Sequence, residues 1–437
     1  MRMKWAIAGI LAAASVVGGC TSRELTPQQL RADAAFCLAK IRALHPEPAA
    51  YIGESAYADW QASFAAGLDR AMTAVEFYRV LAPRVAALRS GHTFLYPPQG
   101  AFNAWLEFQG RRFPIAVGAT EAGAFELLDP LELTDAPGGS VILSIDGQPA
   151  EAVFARMAAG LPGERRAVNA TKLESTAVLQ CLLWAYGLGD ADGLAMTVRT
   201  PAGRRRSLVV PALAEVEIDE RIERRGGGYR FSRYSMERRS DGRVAVMRID
   251  AFAEPYWFHR YLASAMNALR DEPPEALVID LRRNSGGRVR LAGLLMAVLI
   301  DRPYRLYQTV AIKGRSGLAT YAVPTLDAAE GGPVWEGPIA VLIGPNTASA
   351  AAAFAGAARA YGLATLIGRP TGGLGGVYGN PGRFLLPHSE LKLAVASNYA
   401  VITGAEPEQP IAPDVLVDNP AEDWRAVEGW LRQVKGR

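Results

Sequence analysis

The chain has 437 residues, half of them apolar, with a formal charge of +3. That length supports two or three domains with sizeable cores. A charge this close to balance excludes an electrostatic case for nucleic acid, and the short basic clusters at 204–206 and 221–225, beside turn signals, read as solvated faces.

In chain order, Arg2 and Lys4 precede an apolar run from Trp5 to Val17, and Gly18-Gly19-Cys20 follows. A positive flank, a short apolar core and small residues mark a secretory signal, and the run is too short for a stable membrane span. The Gly-Gly-Cys end resembles a bacterial lipoprotein signal. That resemblance implies a leader over 1–19, lipidation of Cys20 and, because Thr21 follows rather than Asp, an outer-membrane anchor holding periplasmic domains. Cleavage near Ala14 is the alternative. Cys37 and Cys181 remain; they either pair, as an oxidising compartment permits, or stay as two buried thiols. With no C-x-x-C pair and four scattered histidines, the sequence implies no zinc site and no cofactor.

Residues 20–100 form a helical region. Ala34, Cys37, Leu38, Ile41 and Leu44 recur at helical spacing, and His45-Pro46 ends the segment. Helices are also expected over Tyr57–Ala71 and Ala74–Leu88, with Pro83 kinking or splitting the latter. Residues 101–223 change character. Val141 to Ile145 reads as a strand entering an Asp146-Gly147 turn, and Leu194–Thr200 with Arg205–Val210 as a hairpin. A helical insertion over Ala167–Tyr186 precedes that hairpin. The strand and its Ile-Asp-Gly-Gln-Pro turn resemble a degenerate PDZ-like α+β domain. Residues 224–243, polar and glycine-rich, read as a linker with a poorly ordered hairpin.

From Val244 onward strands and helices alternate, the pattern of an α/β core with a largely parallel sheet. In such sheets sites form beyond the carboxyl ends of the strands. Two loops leave strands there. One is Arg282-Arg283-Asn284-Ser285-Gly286-Gly287, whose paired glycines let backbone N–H groups approach a ligand. The other is Gly344-Pro345-Asn346-Thr347-Ala348-Ser349, which enters an alanine-rich helix. Ser349 either caps that helix or presents its hydroxyl as a nucleophile beside free N–H groups, with Gly286, Gly287 and Ala350 as oxyanion donors.

Leu277 to Gly287, then Thr347 to Ala351, then Ile367 to Thr371 resemble, in order and some 60 residues apart, the signature of the S41 tail-specific or carboxy-terminal processing serine peptidases. The likeness extends over Val244–Asp418, and Leu44-His45-Pro46 and Ser90-Gly91-His92-Thr93 also occur in relatives. It implies a ClpP/crotonase-like β/α core over 244–437 and acyl transfer to water. The best-known members place a lysine about 25 residues after the serine; here that position is Leu374, and no lysine stands between Lys313 and Lys392. Serine needs a base. Ser90-Gly91-His92-Thr93 resembles the base-bearing segment of the tricorn-like branch, which makes His92 the candidate; capping of the preceding helix is its alternative role. In that branch the orienting carboxylate precedes a late Pro-Asp pair. Glu408 and Glu406 occupy the corresponding stretch, and exposed loop carboxylates are the alternative. The expected substrate is a peptide or protein tail, presented by strand addition to a sheet edge or to the PDZ-like module. A small-substrate esterase and a non-catalytic binding protein on the same fold stand as the other classes. Nothing in the sequence sets an oligomeric state.

Overall fold

The computed structural model describes residues 23–435 apart from 110, 121–123, 130–135, 166–168, 191, 225–232, 315–316 and 331–334. The expected leader, Cys20 and the central part of the expected linker lie outside the described residues. No helix among the described residues is long and apolar enough to cross a membrane. The chain divides into two compact units, one running to Tyr229 and including Pro381–Ala396, the other comprising Arg230–Asn380 and Ser397–Arg437.

In the first unit, helix Pro27–Leu44 starts at a Thr26–Gln29 capping box and buries Leu30, Ala34, Cys37 and Ile41. Glu54–Ser63 is shorter than expected; Gly67, at φ 66°, takes a left-handed turn where helix was read. Ala74–Ala86 is one continuous helix despite Pro83. The proline sits in the last turn, so little helix lies beyond the hydrogen bond it removes.

The sheet that follows runs Arg205–Val210, Leu194–Arg199, Ser140–Ile145, Phe125–Asp129, Ala116–Ala119, with all neighbours antiparallel. Asp146 (φ 47°) and Gly147 (φ 73°) form the expected turn. The Asp146 carboxylate accepts the N–H groups of Gly189 (2.6 Å) and Ala195 (3.1 Å). The insertion is a 3₁₀ turn, Ala170–Glu174, and a helix, Thr176–Ala185. It packs beside the Ala116–Ala119 edge of the sheet. Glu174 Oε1 accepts the Ala119 N–H at 3.1 Å, and Gln180 Oε1 accepts the Phe113 N–H at 3.1 Å while its Nε2 donates to the Phe113 carbonyl. Leu173, Leu179, Leu182 and Leu183 bury themselves in the same core as the N-terminal helices and the sheet. At about 2 kcal/mol each, their burial ties the insertion to the sheet by several kcal/mol. Cys37 and Cys181 are both free and buried, and burial pushes both thiols up, the second to about 12.

A late excursion of the chain completes this unit. Gly382–Leu385, Lys392–Val395 and Phe94–Leu95 form a three-stranded sheet. The fully buried Asp33 holds the connecting turn, accepting the N–H groups of His388 (2.9 Å) and Ser389 (2.8 Å) and the Ser389 hydroxyl (2.6 Å).

The second unit is built on a sheet ordered Tyr234–Arg239, Val244–Ile249, Ala276–Asp280, Ile339–Ile343, Thr365–Gly368, Val415–Leu416. Only the first pair is antiparallel. Tyr234–Arg239 falls where linker was expected. Its charged residues are those of an edge strand, and Ser240 and Asp241, at φ 53° and 57°, turn it into the next strand. Alternate residues serve opposite cores: Ala245, Met247, Leu277, Ile279, Val341 and Ile343 pack with helices Pro255–Asp271, Val289–Ala297 and Ala350–Ala360. Val244, Val246, Val278, Ala340 and Leu342 pack with helix Asp423–Lys435. A second sheet, Gly317–Ala322, Tyr307–Gly314, Asn398–Ile402, Gly376–Gly379, is antiparallel.

Candidate active site

Three loops leave the carboxyl ends of parallel strands in the second unit, after Asp280, Ile343 and Gly368, the end where ligands bind in such sheets. Hydrogen bonds tie them together. Thr347 Oγ1 donates to the Leu281 carbonyl (2.9 Å) and accepts the Gly344 N–H (3.0 Å). The Ala348 N–H reaches the Asn284 carbonyl (3.2 Å), and the Gly372 N–H reaches the Thr347 carbonyl (3.1 Å).

Ser349 sits at the N-cap position of helix Ala350–Ala360 but makes no side-chain cap hydrogen bond. Its backbone, φ 51° and ψ −125°, lies in a region non-glycine residues rarely adopt, at a cost of about 1–3 kcal/mol. The stretch Ala350–Ala358, small residues apart from the fully buried Phe354, lets this helix sink completely into the core, which fixes its first turn, and the half-buried Ser349, from behind.

Gly286, at φ 106°, lies directly against the serine: a Cβ there would stand 2.7 Å from Ser349 Cβ and 3.1 Å from the Ala350 nitrogen. Gly287, at φ 128°, has no room either, since its Cβ would meet the Phe252 carbonyl at 2.2 Å. The two glycines differ as donors. Asn284, fully buried, accepts the Gly286 N–H on Oδ1 at 2.8 Å. Among the described residues no acceptor takes the N–H groups of Gly287 or Ala350. Gly286 thus meets the serine loop through its missing side chain, while the N–H groups of Gly287 and Ala350 are left without an acceptor among the described residues.

The Glu406–Glu408 stretch is joined to these loops through Thr371–Gly376. The Gly375 N–H donates to the Gln409 carbonyl (2.8 Å), the Gly376 N–H to the Pro407 carbonyl (2.7 Å), and Leu374 bridges Pro410. Both glutamate side chains are exposed. Beneath the site Arg282 bonds Asp280 through Nε (2.9 Å) and Nη2 (2.6 Å), and the buried Asp423 through Nη1 (2.6 Å). Burial pushes the Asp280 carboxyl up, but the Arg282 bonds and charge outweigh it and hold the group below the usual carboxylate range.

His92 lies in the first unit, in the segment Arg89–Thr93. Arg89 is left-handed at φ 58°. His45, buried at the end of the first helix, meets Ser90 Oγ through Nε2 at 3.1 Å, and Ser90 Oγ donates to Thr93 Oγ1 at 3.2 Å. Thr93 Oγ1 also accepts the Ala396 N–H at 3.1 Å. His259 is exposed on helix Pro255–Asp271. The supporting roles of Asn284 and Thr347 escape the sequence reading, although both stand inside the motifs quoted for the resemblance.

Residues 243–417 match the family model described as Peptidase family S41, the same stretch as the motif resemblance. Among solved structures the chain is similar to mature CPAF in complex with lactacystin, at TM-score 0.63 and 15% identity over 93% of this chain and 98% of that one. It is also similar to the photosystem II D1 C-terminal processing protease, at TM-score 0.52 and 18% identity over 94% and 98%. At these identities the likeness is one of fold, and it agrees with the α/β core and N-terminal helical region read from the sequence. None of the curated proteins compared matches the chain.

Proposed function

We propose that this protein is a serine peptidase that hydrolyses peptide bonds of periplasmic proteins or peptides through an acyl-enzyme. The observation that carries the reading is Ser349. It occupies a strained backbone conformation at a helix start, leaves the cap unmade, and adjoins the Ala350 amide, which has no acceptor among the described residues. A serine whose task was to cap the helix would accept a first-turn N–H on its hydroxyl oxygen. The match to Peptidase family S41 and the fold shared with a processing protease support the same reading.

In this mechanism Ser349 Oγ attacks the scissile carbonyl carbon while His92 takes its proton. The carbonyl oxygen becomes an oxyanion held by the N–H groups of Gly287 and Ala350. Collapse expels the amine, which receives the proton from the imidazolium. Water, deprotonated by His92, then releases the acyl group. The missing lysine supports an imidazole base, and Glu408 or Glu406 supplies the carboxylate that orients it. Cys20 carries the lipid that anchors the protein to the outer membrane.

A fluorophosphonate probe tests this. Labelling of the wild type, lost in Ser349→Ala and in His92→Ala, is the expected result. An unlabelled wild type between about pH 6 and 9, where a neutral imidazole is available, would remove the hydrolase reading. Turnover of an ester with no cleavage of casein or tail peptides would replace the peptidase with an esterase.

A further inference from the structure

We propose that Glu164 is a positioning residue for the general base: its carboxylate fixes the Gly91–His92 backbone and supplies the negative charge beside it. The proposal rests on His92 being that base.

Glu164 follows helix Ala150–Ala159 and is 7% exposed. It grips the segment at two points. Its carboxylate Oε1 accepts the Gly91 N–H at 3.1 Å, and its main-chain carbonyl accepts Arg89 Nε (3.1 Å) and Nη2 (2.9 Å). Gly91 must be glycine for this approach, because a Cβ would stand 2.4 Å from Oε1. Ser90, between the two grips, is held by His45 and Thr93. The Glu47 N–H donates to His45 Nδ1 at 3.2 Å. That leaves Nε2 protonated, so the chain of donation runs from His45 to Ser90 to Thr93. Every residue flanking His92 is thereby fixed, starting from the left-handed Arg89.

Such over-determination is what catalytic geometry demands, since a displacement of about 1 Å can cost a factor of about 100 in rate. A hydroxyl or amide could also accept the Gly91 N–H. A buried carboxylate does more, because it also stabilises an imidazolium as it forms nearby. Glu406 and Glu408, by contrast, are exposed. The charged and titratable groups that contacts place around the segment are Arg89 on the segment itself, His45 from the first helix, Glu164 from the loop, Lys172 from the 3₁₀ turn beside Glu164, and Lys392 from the adjoining strand. Burial pushes the Lys172 ammonium down while the Glu164 charge lifts it, so Glu164 has one nearby cation as well as Arg89. Lys392 lies over the Tyr96 ring, 5.2 Å from its centroid.

The test compares Glu164→Gln, Glu164→Asp and Glu164→Ala in the full chain. Readouts are p-nitrophenyl acetate hydrolysis against pH, fluorophosphonate labelling and thermal melting. Glutamine keeps an oxygen for the Gly91 N–H but removes the charge. Its expected signature is activity within about fivefold of wild type on the plateau, with the acid limb moved to lower pH, because the imidazolium has lost its neighbouring anion. Alanine loses the grip as well, and its kcat is expected to fall by about 50-fold or more. Aspartate is expected to restore the wild-type limb in part. An acid limb unmoved in a folded Glu164→Gln, or an Glu164→Ala variant within about threefold of wild type, overturns the proposal. Those outcomes leave the base assignment standing as long as His92→Ala is inactive. A His92→Ala variant with wild-type labelling sinks the base assignment itself.

Discussion

Gly286 and Ser349 stand so close that a methyl group on the glycine would lie 2.7 Å from Ser349 Cβ. The glycine loop and the serine loop are therefore complementary surfaces, with no space for a side chain between them.

Gly286→Ala should block the site. The new methyl would also come within 3.1 Å of the Ala350 nitrogen, over one of the two open amides. Loss of one oxyanion donor reduces kcat by about 100- to 1000-fold, and a loss in that range is expected here. Fluorophosphonate labelling rates with a parallel thermal melt check it. Labelling within tenfold of wild type would show that the two loops separate freely.

Ser349→Gly should separate stability from function. Glycine adopts φ 51° without the steric cost borne by serine, so relief of strain is expected to raise stability by about 1 kcal/mol. The gain is partly offset by the greater freedom of glycine in the unfolded chain. Labelling should vanish. Urea unfolding of the glycine and alanine variants side by side isolates the backbone effect, since both lack the hydroxyl. Equal midpoints would mean that the serine conformation stores no strain.

Asp280→Asn concerns the support beneath the site. Arg282 would keep Asp423 but lose its other carboxylate, at an expected cost of about 1–3 kcal/mol at neutral pH. The folded-state pKa of Asp280 is depressed. Its contribution is therefore complete above the unfolded carboxyl range, near pH 4, and is lost as pH falls through the depressed folded value. Denaturation of both proteins from pH 7 to 2 should show the gap narrowing below about pH 4. A gap constant across that range would assign the effect to packing instead of charge.

Asp33→Ala tests the tie between the first helix and the turn at His388-Ser389. Three donors would lose their shared acceptor in a fully buried place. A cost of about 2–4 kcal/mol is expected. Hydrogen exchange should show faster opening in Lys392–Val395 than in the Val244–Ile249 sheet; uniform exchange across both would argue that the turn is held by other contacts.

Much of the second unit is legible because its strands are buried on both faces and read as continuous apolar runs between turn residues, as in Ala276–Asp280 and Ile339–Ile343. Gly376–Gly379 escapes notice because its two glycines mask a strand that exists through pairing with Asn398–Ile402. Tyr234–Arg239 reads only as part of a linker with a poorly ordered hairpin because an edge strand can be as polar as a linker. At the site, Ser349 and the glycine pair declare themselves by residue type and position. The Asn284 bond to Gly286 depends on a side-chain rotamer, and Glu164 lies 73 residues from Gly91. Neither relation leaves a periodic trace.

The bond between Thr93 and Ala396 spans 303 residues. At synthesis rates of about 5–20 residues per second, that separation is roughly 15–60 seconds of chain growth. For that time the sheet beside the histidine segment lacks two of its three strands, and the unit that holds Ser349 is still being made. The surroundings of His92 and of Ser349 are therefore completed almost together, near the end of synthesis. A truncated or interrupted chain would carry the Ser90–Thr93 segment without the two later strands and the Ala396 N–H that complete its surroundings.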